Sequence, residues 1–209
     1  MQEWGTITVL CANALSIRGQ TTALIAEQRW MVMAMDKIKV TMTECPSEKD
    51  WYEVKRRALV TMGYTKVLTQ PDEAWKNRML KARHSPIRRL FFSFDITCPY
   101  WVSVHLCRHL HAQPYVKTQR NDRQTEYDRN SAPQDALVNM IWDMNAEELM
   151  TIANKRLCKL ASEETRQVVK LMREQVLEKY PEFNGLLVPN CEYHGGVCHE
   201  MYPCYEEGA

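Results

Sequence analysis

Leu90-Phe91-Phe92-Ser93-Phe94-Asp95-Ile96 is the stretch on which the fold turns. In an extended chain Phe92, Phe94 and Ile96 point to one side and Ser93 and Asp95 to the other, the period of two that a half-buried strand requires. Pro99 follows, and Trp101, Val104 and Leu106 then recur at helical spacing up to Arg108-His109. From Gln113 to Pro133 the chain reads as an irregular polar stretch that includes Arg120, Arg123 and Arg129. A loop of that length inside a compact domain is usually functional. Two long helices are expected next. Asn145 caps the first, with Glu148 three residues on as its capping-box partner, and Ser162 caps the second, with Thr165 at the box position and Glu163 and Glu164 in the first turn.

Upstream of the strand, Lys37-Ile38-Lys39-Val40-Thr41-Met42-Thr43 alternates in the same period of two, and Pro46-Ser47-Glu48 supplies a turn and a helix start. A helix from Glu48 to Thr61 would carry Trp51, Val54, Ala58 and Val60 or Met62 at helical spacing and end at Gly63, which suits a left-handed cap. Another is expected from Pro71 to Ala82, with proline in its first turn. The order of strand, helices, strand, helices predicts an α+β domain, a mixed sheet covered by helices, rather than a doubly wound fold. Residues 1–36 read as an appended N-terminal extension with a Met-rich patch from Met31 to Met35, and residues 37–209 as the domain proper.

Composition narrows the function. Twenty-seven Lys and Arg against 26 Asp and Glu leave a net charge of +1, so no global field marks a nucleic-acid coat or a membrane-surface protein. Hydrophobic residues at 45% and charged residues at 25% are those of a globular chain. No apolar run approaches a membrane span, and Glu3, Arg18 and Glu27 interrupt what a signal peptide would keep apolar. The expected location is the cytoplasm, that of the host if the source is a phage. Most of the eight cysteines stand in apolar or helical contexts and read as buried thiols. Cys191, Cys198 and Cys204 crowd the C-terminus beside His194 and His199, but only Cys191-x2-His194 approaches zinc-ligand spacing, and the expectation is a Gly-rich closing loop without metal.

No glycine phosphate cradle, nucleophile elbow or zinc-protease motif is present, and seven glycines leave little material for one. A phosphate would have to be held by side chains, for which arginine is suited by a fork that stays charged and binds two oxygens at once. Arg108, Arg120, Arg129 and Arg156 are the candidates, and His105, His109 and His111 cluster around the first of them.

These residues also form a pattern. His105-Leu106-Cys107-Arg108-His109-Leu110, seven residues from His111 to Lys117, then Thr118-Gln119-Arg120, resembles the Arg-His-Arg, seven residues, Ser signature of flavin-dependent thymidylate synthases. Ser85-Pro86-Ile87 before Phe91-Phe92-Ser93-Phe94 resembles the family's entry to a Phe-rich strand. Arg129, Pro133, Trp142, Asn145-Ala146, Leu149, Arg156, Ala161 and Glu164 match the spacing of its C-terminal helices, and Val188-Pro189-Asn190-Cys191 through Cys204 is similar to the tail of some members. The resemblance covers Ile38 to Cys204.

The resemblance implies a mixed α/β fold, a homotetramer with shared active sites, bound FAD, and reductive methylation of dUMP with methylenetetrahydrofolate and NADPH. Carried over, Thr118 and Arg156 are catalytic. His105, Arg108, Thr118, Arg120, Arg129 and Arg156 would hold the pyrimidine deoxynucleotide monophosphate, and His109, Asn145, Thr151, Arg88 and Arg89 the flavin. No metal, membrane or nucleic-acid partner is implied. The departures fall at the flavin and the base. Leu110 stands for the third residue of Arg-His-Arg, Glu147 for an arginine and Arg88-Arg89 for a Glu-His pair, while His105, Val116 and Thr118 replace a glutamine, an acid and a serine. The pattern suggests a diverged member. The alternatives are methylation or hydroxymethylation of dCMP, nucleotide binding without flavin chemistry, or, outside enzymes, nucleic-acid binding through the arginines. Arg83, Arg88 and Arg89 are the cations available to replace those lost at the flavin.

Overall fold

The computed structural model describes residues 36–123 and 128–204. Apart from Asp36 and Lys37, these belong to one compact unit starting at Ile38. The expected extension lies outside the described residues up to residue 35. Four strands, β1 (Lys39–Glu44), β2 (Phe91–Pro99), β3 (Gln113–Val116) and β4 (Leu137–Asn145), form one sheet in the order β1-β2-β4-β3. The α+β class stands, but in strand direction the sheet differs from the expectation, because every described pairing is antiparallel rather than mixed.

β2 is buried as its alternation requires, with Phe92, Phe94 and Ile96 inside and Asp95 outside. Ser93 departs from that pattern. It is buried on the outer side, where β1 bulges between Met42 and Glu44 and the Thr43 hydroxyl donates to the Ser93 carbonyl. Truncating a wholly buried phenylalanine such as Phe94 to alanine would cost ~3–5 kcal/mol.

β3 and β4 lie in or beside the region read as an irregular stretch. β4 buries Val138, Met140, Trp142 and Met144, but its other face carries Leu137 and Ile141 among the polar residues, which blurs the alternation. β3 contains Pro114, which removes a ladder donor and argues against a strand interior. The edge of the sheet tolerates it.

Helices cover one face. They are α1 (Glu48–Val60), α2 (Glu73–Lys81), α3 (Tyr100–Leu106), α4 (Ala146–Arg156), α5 (Glu163–Lys179) and the short α6 (Asn190–Tyr193). Val168, Val169, Met172 and Val176 of α5 join Leu149, Met150 and Ile152 of α4 in the core with the Phe-rich strand. None of these helices is long and apolar enough to cross a membrane.

The caps follow the sequence with three exceptions. Ser47 and Asp50 form a full capping box on α1, and Gly63, at φ +83°, closes that helix through bonds from Gly63 N–H to Val60 O (3.0 Å) and Tyr64 N–H to Leu59 O (3.1 Å). α2 starts two residues later than expected, because Asp72 caps it by accepting from the Trp75 N–H at 2.7 Å and Pro71 lies before the cap instead of in the first turn. Ser162 spends its hydroxyl on Thr165 Oγ1 (2.7 Å) instead of the backbone. Asn145 caps α4 by accepting from the Glu148 N–H at 3.0 Å, but the Glu148 carboxylate turns to His109 and does not complete the box.

Candidate functional site

The C-terminal end of α3 and the face of α4 that carries Glu148, Ile152 and Arg156 at every fourth residue bring four of the expected site residues together. Arg156 donates from Nε to His109 Nε2 at 2.9 Å and from Nη2 to the His105 carbonyl at 3.1 Å. His109 Nδ1 stands 3.3 Å from Glu148 Oε1, with the two side chains only 9% and 7% exposed. The His109 ring also meets Trp142 edge-on at 6.0 Å. Burial pulls the Arg156 guanidinium below its ordinary pKa, and the positive charge of Arg108 adds to the effect. Two guanidinium groups thus share one neighbourhood, which suits an anion.

Arg120, Thr118 and Arg129 form a separate exposed network. Arg120 makes two bonds to Asp122, at 2.9 and 2.6 Å, and its N–H donates to Thr118 Oγ1 at 3.3 Å. The Arg129 N–H donates to Asn121 Oδ1 at 3.1 Å, and the Arg129 charge helps hold Asp122 below the usual carboxylate range, after the larger effect of Arg120.

A cavity of about 360 Å³ opens beside the start of α4, lined by Arg88, His111, Asn145, Glu147, Glu148 and Thr151. Here the departures of sequence explain each other. Arg88, at the end of the 3₁₀ turn Ser85–Arg89, is ion-paired with Glu147. The resemblance expects an acid at the first of these positions and an arginine at the second, and the residues present carry the opposite charges.

The other two substitute cations are also engaged. Arg89 pairs with Asp50 at 3.2 Å. Arg83 donates to Thr151 Oγ1 at 3.0 Å and to Asn154 Oδ1 at 2.6 Å, and lies over the Tyr193 ring. Arg83 does so from the left-handed region, at φ +47°, where a side chain is strained.

The cavity fits the flavin implied by the resemblance in part. Asn145 amide, Thr151 hydroxyl, His111 imidazole and Arg88 guanidinium are the kinds of group that meet the carbonyls and nitrogens of an isoalloxazine ring. Glu147 neutralises Arg88, so these walls suit the uncharged ring better than the diphosphate.

His109 was expected against the flavin, yet both of its ring nitrogens are directed at protein groups. Glu148 was read only as a capping residue, and its place beside a buried histidine depends on how α3 and α4 cross. Among the described residues no group of three or more His, Cys, Asp or Glu is placed to hold a metal ion.

The family described as thymidylate synthase complementing protein matches residues 115–182, from β3 through α5 to the turn Pro181–Phe183. That span includes Thr118, Arg120, Arg129, Asn145, Thr151 and Arg156. Over those residues the chain is similar to that family. Two solved structures share its fold. A UMP/dUMP methylase, PolB from Streptomyces cacaoi, bound with 5-Br dUMP, is 14% identical with a TM-score of 0.57. Thymidylate synthase X from Helicobacter pylori, with FAD and dUMP, is 14% identical with a TM-score of 0.58. Each comparison covers 72% of this chain and 97% of the other. Comparison with curated proteins found no matching sequence. The matched span includes the helix that carries Arg156, and two of the residues that depart from the family pattern, Arg88 and Glu147, line the cavity at the start of that helix.

Proposed function

We propose that the chain catalyses reductive one-carbon transfer to C5 of a pyrimidine deoxynucleotide monophosphate, with conversion of dUMP to dTMP as the leading reaction. Methylenetetrahydrofolate would donate the carbon, and a flavin reduced by NADPH would supply the hydride. The observation that carries this reading is the partly buried Arg156, which lies in the span matched by the family and has the charge of Arg108 beside it. A buried guanidinium that is repelled by a second one is stabilised when an anion joins them, and a nucleotide monophosphate is such an anion. Arg156 and Arg108 would hold the phosphate, with Arg129, Arg120 and Thr118 closing over the nucleotide from the loop. Asn145, Thr151 and Arg88 would orient the flavin ring. We propose further that the enzyme works in the cytoplasm as a homotetramer, which light scattering would test.

The discriminating experiment is release of tritium from dUMP labelled at C5, because any substitution at that carbon displaces its hydrogen. Release that depends on methylenetetrahydrofolate, with dTMP as product, supports the reading. Release from labelled dCMP but not dUMP would move the activity to cytosine, and nucleotide binding without release from either would remove the one-carbon chemistry. Arg156→Ala should weaken dUMP binding by about 1.5–3 kcal/mol, the range for hydrogen bonds to charged groups.

A further inference from the structure

We propose that Glu148 and His109 are positioning residues that lock the Arg156 guanidinium in place through a buried carboxylate–imidazole–guanidinium chain. This rests on the reading that Arg156 contacts the nucleotide. The protons fix the direction of the chain. An arginine Nε–H can only donate, so His109 Nε2, which it meets at 2.9 Å, must accept and carry no proton. The imidazole proton therefore sits on Nδ1, facing Glu148 Oε1 at 3.3 Å. The carboxylate fixes the neutral tautomer and makes the opposite ring nitrogen a better acceptor for Arg156.

The arrangement leaves Arg156 suited to an anion. Of the five N–H donors of a guanidinium, those bound to His109 and His105 account for two, and three remain for a phosphate. The Glu148 carboxylate stands on the far side of the imidazole ring, so it orients Arg156 without pairing with it directly. An arginine held in this way has already lost the freedom that a surface arginine must give up when a ligand binds. The same arrangement accounts for why His109 is enclosed although it belongs to a motif that the resemblance assigns to the flavin.

Two measurements test the chain separately from the ligand. Nitrogen-15 NMR of the whole protein should show a neutral His109 protonated on Nδ1, and an Arg156 Nε–H signal protected from solvent exchange. That protection should survive in His109→Gln, whose side-chain oxygen can stand in for Nε2, and disappear in His109→Phe. Calorimetry with dUMP should find binding weakened at least tenfold in His109→Phe and at least threefold in Glu148→Ala, and within about threefold of wild type in His109→Gln. Because the residues act as one chain, His109→Phe combined with Arg156→Ala should be no weaker than Arg156→Ala alone.

An unprotected Arg156 Nε–H, or additive losses in the double variant, would overturn the proposal. Protected Arg156 in a protein whose Arg156→Ala variant binds dUMP like wild type would leave the chain intact and sink the nucleotide reading instead.

Discussion

Arg88 and Glu147 hold each other across the gap between the 3₁₀ turn that precedes β2 and the first turn of α4. The pair closes one wall of the cavity with a contact of almost no net charge, where the family resemblance expects the two signs reversed. Replacing Glu147 by Gln should release Arg88 to the cavity and raise the protein's affinity for FAD about tenfold, equivalent to ~1.4 kcal/mol of binding. Flavin fluorescence quenching on titration reads this out, and equal affinity in variant and wild type would show that Arg88 does not serve the diphosphate.

Asp122 engages Arg120 through two hydrogen bonds, so an anion must compete with a carboxylate for that guanidinium. Asp122→Asn should therefore tighten dUMP binding about threefold at low salt, with the gain fading as ionic strength rises. A salt-independent change would mean that the loop had been reshaped rather than unmasked.

Asn154 is buried and satisfied on both sides. It accepts from Arg83 and donates to the carbonyls of Leu186 and Val188 at 3.2 and 2.7 Å, which fastens the C-terminal segment to α4. Asn154→Ala leaves those partners without it and should cost about 1–3 kcal/mol. At about 2–4 °C per kcal/mol for a chain of this size, the loss in Tm should be plain in calorimetry. A variant melting with wild type would show that water replaces the amide.

Cys45 should be the first of the described thiols to react. Its partial burial pushes its pKa up, but hydrogen bonds with Lys179 (2.8 Å to Sγ) and Tyr180 and the Lys179 charge outweigh that and bring it below its ordinary value. Burial raises that of Cys107 and pushes Cys98 up to about 12. The thiolate is the nucleophile, so limiting iodoacetamide near neutral pH should label Cys45 ahead of the more exposed Cys107. The Cys45 rate should fall only as pH drops through its lowered value, while Cys107 gains rate only in more alkaline solution. Lys179→Met should abolish the preference, and peptide mapping that finds Cys107 labelled first would refute it.

The parts of the molecule that were legible in the sequence are those governed by local pattern. The alternation of β2, the helix start at Pro46-Ser47-Glu48 and the Gly63 cap depend on neighbours within a few residues, and each is found in the structure. β4 was not legible because its outward face carries Leu137 and Ile141, and β3 because Pro114 reads as a strand breaker unless its place at the sheet edge is known. At the site, the arginines could be named from spacing but their partners could not. Arg88 meets Glu147, and Glu148 meets His109, across separations that only the packing of α4 against its neighbours sets.

The ladder between β2 and β4 runs without a break from Phe91 opposite Asn145 to Pro99 opposite Leu137, and the Tyr100 N–H continues it to the Ala136 carbonyl at 2.9 Å. Between them β3 pairs back onto β4, so the loop proper begins where the Lys117 N–H donates to the Asn139 carbonyl at 2.9 Å and ends at Ala136, close to where it began. Closing such a loop becomes harder only with the logarithm of its length, by about 0.6 kcal/mol for each doubling. Insertions and deletions near residues 117–136 should therefore be nearly neutral for folding, and this stretch can be remodelled across descendants while the strands that anchor it stay unchanged.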